Sequence, residues 1–539
     1  MKKFGLICGF AVLLMAFWYG WIRDDGGVEG EAHEIGIEAR AREAFVRTRE
    51  LKFAPSNPAS DAVPRGDVLA RGAGAVENER TLRFPSAAAR DAFLARAVGK
   101  VRILGRLDAL NALHVGFSDP ADLASAMDGE GEEGFVFPVF DPAPPEGSVQ
   151  PGAVALGASL LPWLGVTGDN SNWGAGVKVA VLDTGVIAHP ALAGKIERID
   201  LVAGSSDGAP ANGHGTAVAS LIAGNSAMIP GVAPGVELLS VRIAGDNGMS
   251  NSFLLSQGII AAMERGAELI NISMGSHGDS ALVRDAIALA VEKGALVIAA
   301  SGNNGLERVS YPAANDGVIA VGAVDATGSH LDFSNSGDEV ALAAPGYAIH
   351  AAWLDGQAVA VTGTSFSAPI VTGALAAIMT ESGSRNLNAA QSYQRLIAYL
   401  NDTGTAGADA TTGGGMPDLA RALAGNTPGI FDAAIGSASL DKPSPAFPNG
   451  RLRVLVQNRG TEPLLNTSLN VHMGAGNTAA NITSLAPNQS REIVIPIPRP
   501  AATGSAPLHV ETRVALSDGV TDARPRNDSN VRTYLAGDR

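Results

Sequence analysis

From residue 177 onward the chain alternates compact apolar runs with longer segments whose apolar positions recur every three or four residues. The runs 177–183, 237–242, 268–274 and 295–300 are rich in Val, Ile, Leu and Ala and read as buried strands. Between them a small-residue helix opens at 212–219, and 253–266 and 281–293 read as further helices. Such alternation predicts a parallel sheet with helices on both faces. Residues 370–379 have few breakers and predict a buried helix, with Ser365 at its start behind a Gly-Thr turn.

Two flanking regions carry other patterns. Residues 81–84 predict a strand, and 86–98 a helix capped by Ser86 with Ala89, Ala92 and Phe93 on one face. Strands follow at 101–104 and 112–117, a helix at 119–127 and a last strand at 134–140. That β-α-β-β-α-β order is a ferredoxin-like split unit. After residue 451 apolar residues fall on alternate positions (Leu452, Val454, Val456; Leu469, Val471, Met473; Ile493, Ile495; Val510, Val514), punctuated by Gly, Asn and Pro. This predicts a small β-sandwich. It carries no Trp and a single Tyr, so no aromatic carbohydrate-binding platform is visible.

Composition changes this picture little. Across 539 residues, 46% hydrophobic and 17% charged content describes a globular, core-forming chain. A net charge of −15 leaves no basic stripe and excludes nucleic acid as a partner. The one cysteine, Cys8, excludes an intrachain disulfide and a multi-cysteine metal site. The N-terminus adds more. Lys2 and Lys3 precede an uncharged, largely apolar run at 4–22, about 19 residues against the ~20 that span a bilayer. A signal-peptide core is usually about 7–15. Trp18, Tyr19 and Trp21 cluster at its far end, where an aromatic belt sits, and no small-x-small cleavage site follows. The expectation is an uncleaved transmembrane anchor, the alternative a cleaved signal peptide. Both place the bulk of the chain outside the cytoplasm: anchored and facing the periplasm or the outside, or secreted.

Candidate chemistry stands at element ends. Asp183 closes a Val-rich strand, where open α/β sheets build their sites. His214 lies in Gly213-His214-Gly215-Thr216 at a helix start, and Ser365 in Gly363-Thr364-Ser365-Phe366-Ser367-Ala368-Pro369. An acid, a base and a hydroxyl can make a nucleophilic site. Asn303 stands in a Gly302-Asn303-Asn304-Gly305 loop, which by itself is also an ordinary turn.

Asp183-Thr184-Gly185, the His214 motif and the Ser365 motif, in that order, resemble the three signatures of the subtilisin-like serine proteases. The resemblance covers about 160–424. It implies a subtilisin-like α/β parallel sheet and a serine endopeptidase acting on proteins or peptides through Asp183, His214 and Ser365. Asn303 resembles the family's side-chain oxyanion donor. Ser273, Met274 and Gly275 resemble one substrate-binding edge, and Gly248 the opposite one. His277 follows the first edge and is a weaker candidate for substrate contact. The family often binds calcium, and Asp/Asn/Gly loops at 169–172, 207–212 and 246–247 are the places for it, without EF-hand spacing, so no metal ligand is assigned. No other cofactor is implied. The ferredoxin-like unit resembles the family's inhibitory propeptide. It implies a zymogen held by its own prosegment and self-cut between Phe140 and Gly157. The C-terminal sandwich weakly resembles adhesion-type Ig-like modules.

The expected organisation is therefore an anchor or signal peptide at 1–25, a helical stalk and linker at 26–78, a propeptide-like domain at 79–140 and a linker with the processing site at 141–159. A catalytic domain at 160–424, a linker at 425–450 and a β-sandwich at 451–539 follow. The rival reading is a catalytically silent scaffold that binds peptides in the same cleft and adheres through the sandwich.

Overall fold

A computed structural model describes residues 74–534 apart from 141–142, 193–195, 203–209, 381–386, 426, 475 and 498–506. The expected anchor or signal peptide, and nearly all of the stalk and linker, lie outside the described residues. Among the described residues no helix is long and apolar enough to cross a membrane.

The first unit runs β1 (Glu79–Arg83), α1 (Ala87–Ala97), β2 (Arg102–Leu107), β3 (Ala112–Gly116), α2 (Pro120–Met127) and β4 (Glu132–Phe135). Its antiparallel sheet has the order β2-β3-β1-β4. Ser86 caps α1 by accepting from the Ala89 N–H, and Asp119 caps α2 through the Ala121 N–H. Leu82, Phe93, Leu113 and Val115 form its core. The single strand expected at 134–140 is two strands. After β4 the chain turns out of the sheet, and β5 (Pro138–Phe140) pairs with the central unit instead. Pro138 has no N–H to offer a sheet neighbour, which fits a break at that point.

The central unit opens with a short α3 (Leu160–Trp163) and β6 (Lys178–Asp183). It continues through β7 (Ile196–Asp200), α4 (His214–Ala223), β8 (Glu237–Arg242), β9 (Met249–Asn251), α5 (Ser252–Glu264), β10 (Leu269–Ile272), α6 (Ala281–Glu292) and β11 (Leu296–Ala300). Then come β12 (Val318–Val324), β13 (Val340–Pro345), a hairpin of β14 (Ile349–Ala352) and β15 (Ala358–Val361), α7 (Thr364–Met379), α8 (Ala389–Ala398) and α9 (Leu419–Ala424). Seven parallel strands lie in the order β13-β12-β11-β10-β6-β8-β7. One core packs α4 and α7 on one face of this sheet, and a second packs α5 and α6 on the other. Successive strand residues point to opposite faces, so strands buried on both sides have to be apolar throughout. The compact Val/Ile/Leu runs meet that requirement.

The last unit packs β16 (Ala433–Asp441), β17 (Arg451–Asn458) and β20 (Ser490–Pro496) against β18 (Leu464–Met473), β19 (Gly476–Leu485), β21 (Leu508–Ala515) and β22 (Ser529–Tyr534). The alternating apolar residues point inward, as the period-two pattern predicts. β16 lies in the stretch expected to be linker. Its residues are mainly Ala, Ser and Gly, too small to give the apolar alternation that marks the other strands.

A buried polar seam joins this sandwich to the central unit. Arg421 of α9 donates to the backbone carbonyls of Tyr399 (3.1 Å), Leu400 (3.1 Å) and Arg459 (3.0 Å), and to Asn488 Oδ1 (2.5 Å). Arg524 reaches Asp418 at 2.5 Å. At the sandwich end of the seam, burial and the nearby Asp522 and Asp432 carboxylates raise the Asp528 pKa to about 6 from an ordinary 3.8. Below about pH 4 this carboxyl is protonated folded or unfolded and costs nothing. Between the two values the unfolded chain ionises first, and above 6 the folded state carries the whole penalty. Asp528→Asn therefore raises the unfolding free energy at pH 7.5 by at most about 1 kcal/mol, because the group is largely solvated, and the melting midpoint rises with it. The gain vanishes near pH 4. Thermal melts of the two proteins at both pH values check this, and an equal gain at both refutes it.

Candidate active site

Three parallel strands and two helix starts deliver the predicted residues to one cleft. Asp183 ends β6 and is fully buried. Its Oδ1 accepts from the Thr184 N–H (2.7 Å) and lies 2.8 Å from His214 Nδ1, with Oδ2 at 3.0 Å. The carboxylate thus addresses one ring nitrogen of His214, Nδ1, through both of its oxygens. His214 begins α4, where its backbone N–H is held by Asn212 Oδ1 at 2.9 Å. Its ring lies 5.2 Å from that of Phe366.

Ser365 is the second residue of α7, 2% exposed, at the positive end of the helix dipole. Gly363 precedes the helix at φ 143°, and a Cβ there would lie 3.0 Å from Asn303 Nδ2. Only glycine suits both the dihedral and the close approach. Asn303 follows β11 and is 1% exposed. Its Oδ1 accepts from both the Thr364 N–H and the Thr364 hydroxyl, each at 2.8 Å. With the oxygen so engaged, the NH2 is the donor end of this amide.

Asn303 and Ser365 line one pocket with Met274, Gly302, Ser310 and Phe140. The substrate-edge candidates divide by role. Gly275 exchanges two backbone hydrogen bonds with Phe140, at 2.9 and 2.8 Å. Met274 forms pocket wall and is otherwise buried. Ser273 is fully buried, and its hydroxyl donates to the Ser365 carbonyl at 2.7 Å. It braces the helix start. Gly248 stands in the turn before β9, at φ 74°. His277, the weaker candidate, lines the pocket and meets the Phe140 ring.

Among the described residues, the Asp/Asn/Gly loops named as places for calcium have their carboxylates engaged. Asp169 caps its own turn through the Ser171 N–H and hydroxyl. Asp246 is taken by the Ala211 N–H and by Arg242, each at 2.9 Å. Residues 207–209 lie outside the described residues. Among the described residues no three His, Cys, Asp or Glu side chains form a group that could hold a metal.

Sequence reasoning passed over two positioning residues. Thr364 orients Asn303, and Asn271 donates to the Ser273 hydroxyl at 2.9 Å while accepting from Thr372 at 3.0 Å. Thr364 sits inside the quoted Ser365 motif, but its partner is 61 residues away, so only the fold reveals the pair.

The comparisons with known proteins agree with this geometry. The family model described as the subtilase family matches residues 174–415. Subtilisin Savinase of Lederbergia lenta is 36% identical over 234 residues, which is 43% of this chain and 84% of that protein. The thermophilic serine proteinase of Bacillus sp. (strain AK1) is 37% identical over 242 residues, 44% of this chain but only 60% of its own length. Among solved structures, the epidermin leader peptide processing serine protease of Staphylococcus aureus shares the fold at a TM-score of 0.53 and 20% identity, covering 65% of this chain and 99% of that one. The chain belongs to the subtilase family. It is a subtilisin-like member, by the parallel sheet and by the order of its acid, base and serine.

Thr364→Val keeps the shape of the side chain and removes one of the two donors holding Asn303. Expected is a fall in kcat of about 10-fold with KM little changed, because the loss acts on positioning. Steady-state kinetics on a peptide substrate read it; an unchanged kcat means the backbone N–H alone suffices.

Proposed function

We propose that this chain is an exported serine endopeptidase made as a zymogen, with Ser365 as nucleophile, His214 as general base and then acid, and Asp183 as the group that orients His214. Ser365 Oγ attacks the peptide carbonyl while His214 Nε2 takes its proton. Asp183 holds the opposite nitrogen and stabilises the imidazolium. The oxyanion is met by the Asn303 amide and the N–H of Ser365. His214 returns the proton to the leaving amine, leaving an acyl-enzyme on Ser365 that water then hydrolyses. Export rests on the apolar run at 4–22.

The observation that carries this reading is the chain's own segment in the cleft. β5 lies extended against β9 on one side and is bonded to Gly275 on the other. Its last residue lines the same pocket as Ser365. An extended peptide gripped by main-chain bonds on both sides, beside a serine at a helix N-terminus, is the arrangement peptide hydrolysis needs.

The segment also bears on the processing site. From residue 150 the chain is tied to the body of the enzyme: Gln150 bonds the His330 carbonyl (2.7 Å), the Val154 N–H bonds Asp325 (2.9 Å) and the Leu156 N–H bonds Tyr347 (3.2 Å). Prolines and the Glu146-Gly147-Ser148 stretch lie between Phe140 and that anchorage. The cut is therefore expected within 141–149, leaving a new N-terminus that stays docked.

Purified enzyme is expected to react with a fluorophosphonate probe, and Ser365→Ala to stay full-length and unlabelled. N-terminal sequencing of the active form should begin within 141–150. An active enzyme that still begins near residue 1 sinks the zymogen reading, and absent labelling after prosegment removal favours a silent scaffold. Asn303→Ala should retain KM and lose about 10²–10³ in kcat, a magnitude carried over from a subtilisin. A loss under tenfold would remove Asn303 from the oxyanion site.

A further inference from the structure

The four residues Phe137-Pro138-Val139-Phe140 meet the enzyme through side chains as well as backbone. The Phe137 N–H donates to the Ser252 hydroxyl at 3.0 Å, and the Phe137 carbonyl accepts from the Ser252 N–H at 2.9 Å. Val139 faces Ser250 across the β5–β9 pair and sinks into the apolar core that holds Ile243, Ala244 and Met274. That hole is lined by plain aliphatic groups and suits any residue of similar bulk.

The aromatic rings meet something more particular. Phe137 is 2% exposed, and its ring lies where a side chain on residue 278 would be. A Cβ built on Gly278 would fall 2.0 Å from the Phe137 ring. Gly278 does not have a positive φ, so glycine is not required there by the backbone. Its missing side chain is space for the ring. One residue earlier, the exposed His277 imidazole meets the Phe140 ring edge-on, with centroids 5.8 Å apart and planes at 70°. The loop is held by the Gly275–Phe140 pair and by the Gly278 N–H on the Ser276 hydroxyl at 3.2 Å.

We infer that Ser276-His277-Gly278 is an aromatic-reading subsite, with Gly278 seating one ring and His277 flanking a second ring three residues further along an extended peptide. The inference rests on the endopeptidase reading and names its substrate class: peptides with aromatic side chains at both positions, upstream of the cut. The prosegment then occupies the cleft as a close mimic of the best substrate. An edge-on aromatic pair adds a factor of about 2–12 beyond simple burial, so His277 sets selectivity rather than rate in general.

The test uses the enzyme after its own processing and four fluorogenic peptides sharing one cut sequence, preceded by Phe-Pro-Val-Phe, Ala-Pro-Val-Phe, Phe-Pro-Val-Ala or Ala-Pro-Val-Ala. The double-Phe peptide should have the highest kcat/KM. His277→Ala should reduce the Phe-over-Ala preference at the second aromatic position by about 3- to 10-fold. His277→Tyr should keep the preference, which a merely structural role would not require. Gly278→Ala should abolish the preference at the first position only. If a variant does not mature, competition on the wild-type enzyme makes the comparison, and the double-Phe peptide should inhibit at least about threefold more strongly than the double-Ala one. Equal turnover or inhibition by those two peptides overturns the inference, as does an unchanged preference in His277→Ala. Absence of both fluorophosphonate labelling and turnover of any peptide would instead overturn the endopeptidase reading beneath it.

Discussion

The site depends on the complete burial of α7. All sixteen residues from Thr364 to Met379 are buried, so water cannot satisfy the N–H groups at its start. They have to be met by protein or by whatever enters the cleft. Asn303 meets Thr364 twice, and Ser273 holds the carbonyl of Ser365 from the end of β10. Each of these contacts ties the helix start to the end of a different strand. Ser365 is therefore placed by the sheet as much as by its own helix, and its surroundings keep the field of the helix end unscreened. The small residues along α7 belong to the same constraint. A Cβ on Gly373 would stand 2.7 Å from the Val232 side chain, so bulk there would push the helix off its seat.

The cleft is a gap in a sheet. Gly275 on one side and β9 on the other offer main-chain donors and acceptors, and β5 fills both. Any other extended peptide would have to compete for those same groups, so β5 and a second strand exclude each other there without any movement of Asp183, His214 or Ser365. Holding is shared with contacts outside the cleft. Gly105 of β2 lies so near Phe253 of α5 that a Cβ would fall 2.3 Å from its ring, and Arg83 pairs with Asp285 of α6. These contacts lie upstream of Phe140 and do not depend on the chain being continuous beyond it.

What could be read in advance followed from how local the cause was. The parallel sheet was legible because strands buried on both faces must be apolar throughout, and Asp183, His214 and Ser365 stood out because each sits in a short contiguous motif at an element end. Thr364 as the clamp on Asn303 was not, since that bond joins positions whose proximity is created only by β11 and α7. The division of 134–140 into two strands was missed for a related reason. The unbroken apolar run at 134–140 fits one strand, and what decides otherwise is an edge supplied by Met249–Asn251, more than 100 residues on. β16 escaped because small residues can line a sandwich without advertising it.

Arg421 makes the C-terminal sandwich more than an attachment. Burial pulls its guanidinium down to about 10 from the ordinary 12.5, and its partners are drawn from both sides of the seam. Tyr399, Leu400 and Asn401 belong to the central unit, while Arg459 and Asn488 belong to the sandwich. A buried cation missing half of its acceptors is costly, by several kcal/mol in comparable settings. Neither unit can therefore present this surface alone without rearrangement. The sandwich is better understood as the wall that closes the far end of the catalytic fold, with α9 as the shared element, than as a module on a tether.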